Sequence, residues 1–248
     1  MSSKPERLDK ILVHMNVGSR SDIKKMARQG MIEVNGEIIR DSSLHYDAEE
    51  VSIKVDGKPI KYSRFVYWLM NKPQGVITAT RDGRERTVCN LLSEEDFLFE
   101  PFPIGRLDRD TEGFLLLTND GDLSHYLLSP KFHVPKTYYL EVKGILNQAS
   151  VAACKLGITL DDGYLTMPAE LKLLSVEEAA STAELTIHEG KYHQVKRMME
   201  ALSCEVTYLK RISFGPLQMD ANLPLGAYRP LNEAEIATLR KAVNLDEE

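Results

Sequence analysis

A charged loop that runs directly into an apolar segment is the strongest constraint on how this 248-residue chain can fold. The loop, from Gly105 to Gly113, carries two arginines, two aspartates, a threonine and a glutamate, and residues 114–117 are Phe-Leu-Leu-Leu. A short apolar run bounded by glycine and by turn residues is typical of a buried strand. We therefore expect a rigid strand that holds the loop in place. From the pattern alone, the loop is either a solvated surface turn or a functional one.

Composition and charge exclude several classes of protein. No run approaches the roughly 18 apolar residues of a membrane span. The first residues also lack the apolar stretch of a signal peptide, so we expect a cytoplasmic protein. The formal net charge of -6 argues against a protein that coats nucleic acid indiscriminately. Basic charge is nevertheless concentrated near the N-terminus, where residues 1–40 hold eight Lys/Arg against five Asp/Glu.

The cysteines indicate a reduced protein. Cys89, Cys154 and Cys204 are odd in number and far apart, so they form neither a CxxC pair nor a disulfide framework. We predict free thiols and no zinc site.

The N-terminal part predicts two short helices followed by a small sheet. Residues 7–15 place apolar side chains on one helical face, and Ser19 or Ser21 can cap a second helix. The Asn35-Gly36 pair predicts a tight type I′ turn between two short strands, and residues 51–55 alternate as a further strand.

This arrangement resembles the S4 domain, an RNA-binding module named after a small-subunit ribosomal protein. The characteristic Arg-Leu-Asp-Lys opening of that module stands at residues 7–10. The resemblance implies that basic side chains bind RNA phosphates, contacts that give affinity and register without reading sequence. On pattern alone, an ordinary solvated helix face is an equal alternative. The RNA-binding residues predicted here are Arg7, Lys10, Arg20, Lys24, Lys25 and Arg28.

The remainder of the chain mixes strand and helix patterns. Residues 71–75 predict a turn, and residues 80–103 predict an irregular excursion. Strands are predicted at 65–70, 114–118, 136–142, 170–174, 183–187 and 205–211. Helices are predicted at 122–128, from Asn147 to Gly157, from 194 onward, and after Asn232, which forms a capping-box-like start with Glu235.

Four motifs in this part resemble the pseudouridine synthases, in the branch that modifies ribosomal RNA. They are Asn-Lys-Pro-x-Gly at 71–75, Gly-Arg-Leu-Asp followed by Thr-x-Gly at 105–113, Lys-Thr-Tyr at 136–138, and Gly-x-Tyr-His-Gln-Val-Lys-Arg-Met at 190–198. The resemblance covers nearly the entire chain. It implies an α+β fold: a small N-terminal α/β-hairpin RNA-binding domain, residues 1–61, and a catalytic domain, residues 62–248. The catalytic domain would contain a largely antiparallel mixed sheet flanked by helices.

The same resemblance implies the site residues. It assigns the essential catalytic carboxylate to Asp108 and the ring that lies against the target base to Tyr138. The basic side chain beside the aspartate is Lys196 or Arg197, and the sequence leaves that choice open. Each residue has a structural alternative, such as a cross-strand tyrosine or a hydrogen-bonding histidine. The further RNA contacts predicted are Lys72, Arg106, His193 and Gln194.

The implied reaction is the isomerisation of uridine after the base has been flipped out of its stack. The bond from C1′ to N1 breaks, the base turns, and C1′ joins C5, so neither a cofactor nor a metal is predicted. Asp108 would either add to C1′ or take the C2′ proton, and the sequence does not choose between these routes. The predicted partner is ribosomal RNA, specifically small-subunit RNA or an assembly intermediate, bound by a monomer without any membrane.

Three alternatives stay open at this stage. Large-subunit ribosomal RNA synthases share these motifs, and a non-catalytic ribosome-assembly factor could keep the same fold. A different enzyme acting on a glycosidic bond would need a second carboxylate, for which Asp110 is the nearest candidate to Asp108.

Overall fold

The computed structural model describes residues 5–60, 62 and 64–245. The chain divides into two compact units. The first runs up to Val66 and includes Ser93–Glu100, and the second comprises Tyr67–Leu92 and the chain from Pro101 onward.

The first unit contains two helices and two small sheets. A four-stranded sheet has the order β3-β2-β5-β6, and β1 pairs with β4. Apolar side chains of the two main helices pack with those of β2 and β5 into one core. Its elements are β1 (Glu6–Arg7), α1 (Leu8–His14), α2 (Arg20–Arg28), β2 (Ile32–Val34), β3 (Glu37–Ile38), β4 (His45–Tyr46), β5 (Ile53–Val55), β6 (Lys58–Ile60) and the short α3 (Glu94–Phe97).

Local sequence signals account for this unit. Ser19 is the N-cap of α2, and its side chain and that of Asp22 form a reciprocal capping box. The turn between β2 and β3 has positive φ at both central residues, Asn35 (51°) and Gly36 (85°), which is the type I′ geometry. The two helices and the hairpin predicted from the sequence are therefore confirmed.

The second unit is built on a nine-stranded sheet. The path of the sheet is β11-β12-β10-β13-β9-β7-β15, with β14 on β13 and β8 on β9. Its strands are β7 (Tyr67–Lys72), β8 (Phe102–Ile104), β9 (Glu112–Thr118), β10 (Lys136–Lys143), β11 (Glu170–Val176), β12 (Ala180–Ile187), β13 (Glu205–Phe214), β14 (Leu217–Gln218) and β15 (Tyr228–Pro230). Its helices are α4 (Gly121–Leu128), α5 (Gln148–Leu156), α6 (Gln194–Ala201) and α7 (Glu233–Ala242), with 3₁₀ turns at Val88–Leu91 and Pro130–Phe132.

The pairing of strands confirms the predicted α+β class. In the described sheet, β9 and β13 run parallel, and every other pair of named strands is antiparallel. Strand β9 is buried along nearly its whole length, which explains its uninterrupted apolar sequence. The charged loop therefore runs directly into a rigid central strand, as predicted.

The last elements of this unit close on its first strand. Strand β15 pairs antiparallel with β7, and Asn71 donates a hydrogen bond to the carbonyl of Leu223. Arg240 of α7 forms an ion pair of 2.9 Å with the buried Asp120, which also accepts a hydrogen bond from Tyr67. Burial and the neighbouring Asp120 raise the pKa of Tyr67. The C-terminal helix is therefore fastened to the start of the unit.

Residues 80–103 depart from the prediction in part. Most of this stretch is irregular, as expected, but it also contains α3, a 3₁₀ turn and β8. Ser93–Glu100 within it belongs to the first unit. Among the residues the structure describes, no helix is long and apolar enough to span a membrane. The three cysteines are free and buried, and burial raises the pKa of Cys89 and Cys154 to about 11.

Candidate active site

Asp108 lies in the loop between β8 and β9, two strands that pair with each other, so the loop leaves and rejoins the same sheet. Leu107 anchors the loop by its buried side chain and by Thr78, whose hydroxyl donates to the Leu107 carbonyl at 2.7 Å and accepts from its amide at 3.1 Å. Gly113, at φ 101°, ends the loop where a Cβ atom would stand 2.2 Å from the carbonyl oxygen of Arg211. Only glycine permits this approach of the two strands.

Lys72 holds the loop in place through hydrogen bonds to its main chain. Its side chain is fully buried at the end of β7, and Nζ donates to the carbonyl oxygens of Asp108 and Thr111, both at 2.9 Å. The carbonyls of Pro73 and Arg109 lie at 3.1 and 3.4 Å from the same atom. Burial lowers the pKa of Lys72 to about 8, a fall that nearby carboxylates partly oppose. The prediction that Lys72 binds RNA is wrong, because its ammonium group is enclosed by main-chain carbonyls of the loop.

The carboxylate of Asp108 faces two side chains from the segment that starts α6. Lys196 Nζ lies 3.4 Å from Oδ2 of Asp108, and His193 Nε2 lies 3.5 Å from Oδ1. The side chain of Asp108 is 29% exposed, so it is reachable by a substrate and still partly shielded from water. An ammonium group at this distance stabilises negative charge on the carboxylate, and partial shielding strengthens that attraction.

Lys196 is shared between two carboxylates. Its Nζ is closer to Asp110, at 2.6 and 2.8 Å from the two oxygens, than to Asp108. Burial acts against the charge of Lys196, yet the hydrogen bond to Asp110 and the charges of both aspartates raise its pKa above the ordinary value. The side chain of Asp110 is 68% exposed, so water competes for its part of this interaction. The charge of Lys196 is thus secured beside Asp108.

Arg197 points elsewhere. It forms ion pairs with Asp161 and with Asp162, the latter at 2.7 Å. Neighbouring residues on a helix project about 100° apart, so two consecutive side chains rarely reach the same group. In the structure, Lys196 is the member of the pair that contacts Asp108.

Tyr138 lies in the sheet two strands away from the strand that follows the loop. It is buried in β10, where its Cα partner on β13 is Arg211, and Arg211 in turn pairs with Gly113 of β9. These residues form one row across three adjacent strands, so Tyr138 stands about 10 Å from the strand that the loop feeds. Main-chain geometry therefore brings the tyrosine and the aspartate loop to one region of the sheet.

The model of the RNA pseudouridylate synthase family matches residues 66–201, which is more than half of the chain. The chain belongs to this family. The S4 domain model matches residues 6–52.

Similar proteins cover nearly the full length of this synthase. The uncharacterised RNA pseudouridine synthase YtzG of Bacillus subtilis is 46% identical, over 95% of this chain and 98% of the relative. The ribosomal large subunit pseudouridine synthase B of the same organism is 38% identical, over 95% and 96%. The ribosomal small subunit pseudouridine synthase A of Haemophilus influenzae is also 38% identical, over 95% and 100%. A crystal structure of a pseudouridylate synthase superposes with a TM-score of 0.66 at 35% identity, covering 94% and 99%.

The other residues expected to meet RNA near the site fall into two groups. Arg106 is exposed, and His193 is partly exposed beside Asp108. Gln194 is only 4% exposed and works inside the synthase: it donates to Glu189 and accepts from the amide of Lys191, both at 2.9 Å. The prediction that Gln194 binds RNA is therefore wrong, since its polar atoms are used to shape the loop before α6.

The first unit presents the basic residues predicted for RNA phosphates. The four on α2 are exposed, whereas Arg7 forms an ion pair with Asp9 at 2.6 Å and Lys10 with Glu6 at 2.7 Å. The four exposed residues are Arg20, Lys24, Lys25 and Arg28.

Sequence reasoning missed two cations beneath the site. Arg211 is 1% exposed, donates to the carbonyl of Phe114 at 2.7 Å, and lies 5.2 Å from the ring of Phe214. Lys136 lies 5.4 Å from the same ring, and burial, with the charge of Arg211, lowers its pKa to about 8. Two signals were available: Arg211 takes an inward position in the alternating pattern of β13, and Lys136 opens the Lys-Thr-Tyr motif.

Replacing Lys196 by methionine is expected to lower the kcat of the synthase about 100-fold, because the negative charge of Asp108 loses its cationic partner. Arg197→Met is the matched control, since it removes a neighbouring cation that pairs with Asp161 and Asp162 instead. Its expected loss is below ten-fold. Single-turnover rates of pseudouridine formation would measure both effects. Equal losses in the two variants would contradict the assignment of Lys196 as the partner of Asp108.

Proposed function

We propose that this protein isomerises a single uridine of small-subunit ribosomal RNA to pseudouridine, with Asp108 as the catalytic carboxylate. The observation that carries the reaction is the contact of Asp108 with the Lys196 ammonium at 3.4 Å, on a loop held by Lys72. We further propose that the protein works in the cytoplasm as a monomer. The predicted division into an RNA-binding domain, residues 1–61, and a catalytic domain, residues 62–248, stays a prediction.

The proposed reaction is an isomerisation that side chains of the site can carry out without a cofactor. The target uridine leaves its stack, and the cost of a few kcal/mol is met by contacts with the flipped base. Asp108 either adds to C1′ or removes the C2′ proton, and the C1′–N1 bond breaks. After the base turns, C5 bonds to C1′, the C5 proton leaves, and N1 ends with a proton, so the product is an isomer of uridine. Tyr138 supports the base during this rotation by stacking.

The choice of substrate rests on the relatives. Small subunit pseudouridine synthases A from Haemophilus influenzae, Salmonella typhimurium and Pseudomonas aeruginosa share 38%, 35% and 36% identity with nearly the whole chain. Large-subunit ribosomal RNA is the second candidate, because the Bacillus subtilis large subunit enzyme B is equally similar at 38%. The exposed basic face of α2 would give affinity for either RNA through phosphates.

Release of tritium from RNA labelled at uridine C5 tests the proposal directly. The wild type is incubated with small-subunit RNA, large-subunit RNA and partly assembled particles of each kind. Forming pseudouridine must expel the C5 hydrogen, so one equivalent of tritium per small-subunit RNA is the expected result. Release from large-subunit RNA alone would overturn the substrate assignment. No release from any RNA, with binding retained, would favour a non-catalytic binding factor.

A further inference from the structure

An exposed aromatic ring stands at the edge of the site. Tyr192 is 73% exposed, and in the described part of the chain it is the only aromatic residue among the exposed large hydrophobic side chains. Its ring stacks on the imidazole of His193, with centroids 3.8 Å apart and planes inclined by 17°. A solvent-exposed aromatic ring that stacks on a neighbour of the catalytic carboxylate offers a face on which a base can stack.

The backbone beneath this ring is fixed by the residues around it. His193 adopts the left-handed conformation, with φ at 48°, which turns the chain sharply between Tyr192 and α6. Arg197 Nη1 lies 3.5 Å from the carbonyl oxygen of Tyr192. The loop is thus ordered before any substrate arrives, which reduces the entropic cost of binding.

Glu189 secures the same loop from its other side. One of its oxygens accepts hydrogen bonds from Gln194 at 2.9 Å and from the amide of Met167 at 2.8 Å. The other oxygen accepts from the hydroxyl of Tyr164 at 2.7 Å. The buried Gln194 therefore serves to hold the Tyr192–His193 pair in position.

The proposed position of the target uridine determines which base of the RNA can stack on Tyr192. His193 contacts Asp108 at 3.5 Å through Nε2 and stacks on one face of Tyr192, so the imidazole links the tyrosine ring to the region of the carboxylate. In the proposed function the target uridine places its ribose C1′ at Asp108 and its base against Tyr138. With the target base held by Tyr138, the exposed ring of Tyr192 is left for the base of a neighbouring nucleotide.

Resting on the proposed function, we infer that Tyr192, backed by His193, is a stacking surface for the base of a nucleotide next to the target uridine. Flipping the target leaves its neighbours without a stacking partner, and an aromatic ring replaces that partner for any base. The Tyr192–His193 pair then holds the RNA strand while Asp108 acts on the flipped residue. Tyr192 is a positioning residue that contributes to binding of the strand.

A cycle of protein and RNA changes tests this inference. The RNA is a short fragment containing the uridine that the wild type modifies in small-subunit RNA, made intact or with an abasic site on its 5′ or 3′ side. On the intact fragment, Tyr192→Leu is expected to lower kcat/KM about ten-fold, the effect of losing one base stack. On one abasic fragment the penalty should fall below about two-fold, because the partner base is already missing. Tyr192→Phe keeps the aromatic ring, so its kcat/KM on the intact fragment should stay close to that of the wild type.

Leu156→Ala is the control for exposed apolar surface, since Leu156 is 79% exposed on α5. It should show the wild-type rate on every fragment, and all variants should keep the wild-type melting temperature. Equal penalties for Tyr192→Leu on all three fragments, or no penalty on the intact one, would overturn the inference. Failure of the proposed function looks different, because the wild type itself would then form no pseudouridine in any ribosomal RNA.

Discussion

Replacing Asp108 by asparagine is expected to reduce pseudouridine formation more than ~10⁴-fold, to the background of the assay. Asparagine keeps the size and the main-chain carbonyl of the residue, so the hydrogen bond from Lys72 to that carbonyl should persist. What is lost is the negative charge, and a neutral amide neither adds to C1′ nor removes a proton. Tritium release and RNA affinity, measured on the same preparations, would separate loss of chemistry from loss of binding.

Asp110→Asn is the matched control for this prediction. Asp110 is on the same loop and pairs with the same lysine, but its side chain is 68% exposed. We expect a loss of less than about ten-fold, because an exposed ion pair contributes little. If Asp108→Asn kept more than about 1% of the wild-type activity, or if Asp110→Asn lost more activity than Asp108→Asn, Asp108 would not be the catalytic carboxylate.

Replacing Lys72 by methionine is expected to lower kcat about 100-fold although Lys72 has no access to the substrate. The change removes the donor shared by the carbonyls of Asp108 and Thr111, and a loop displaced by about 1 Å carries its carboxylate out of line. Stability should fall by only about 1–3 kcal/mol, since the unsatisfied carbonyls are partly offset by no longer burying a charge. Single-turnover rates and thermal unfolding would measure the two effects. A variant with normal kcat would contradict the fastening role of Lys72.

The pH dependence of the wild type provides a second test of the same group. Because burial lowers the pKa of Lys72 to about 8, the folded protein loses this ammonium as the pH rises through about 8, and kcat is expected to decline there. The effect on stability has the opposite sign. Between about 8 and the ordinary value of 10.5 the unfolded chain binds the extra proton, so the contribution of Lys72 to the free energy of unfolding rises with pH.

Lys136 is the control for this assignment, since burial also lowers its pKa to about 8. The alkaline decline in kcat should persist in Lys136→Met and be missing from the residual activity of Lys72→Met. The reverse pattern would assign the decline to Lys136.

Much of the fold follows from local signals in the sequence. The caps at Ser19, Asn147 and Asn232 begin α2, α5 and α7, because a side-chain oxygen that accepts from the helix amides is written into a few consecutive residues. The apolar run before Thr118 likewise predicts a buried strand. Such features depend only on residues close in sequence, so they can be predicted from the sequence pattern.

The site was only partly predictable because its contacts join distant segments. Lys72 sits in a turn-like motif, and nothing in that motif shows that the loop 36 positions later closes over it. The choice between Lys196 and Arg197 depended on the rotation of α6 relative to the loop, which the alternation of residues does not contain. Gln194 looked like a polar surface residue for a different reason: its partner Glu189 is close in sequence, but the pattern does not show that the turn before α6 folds back to meet the amide.

The closure of the second unit by β15 has a consequence for how the chain matures during its synthesis. Asn71 and its partner Leu223 are 152 positions apart, so β7 keeps one edge unpaired until almost the whole unit has emerged from the ribosome. During that interval the unpaired edge of β7 exposes backbone N–H and C=O groups to which other chains can bind. Pairing with β15 requires closing a long loop, which slows this step. The strand that ends in Lys72 thus gains its second neighbour late. The sheet edge next to Lys72 is therefore completed only when residues 228–230 are available.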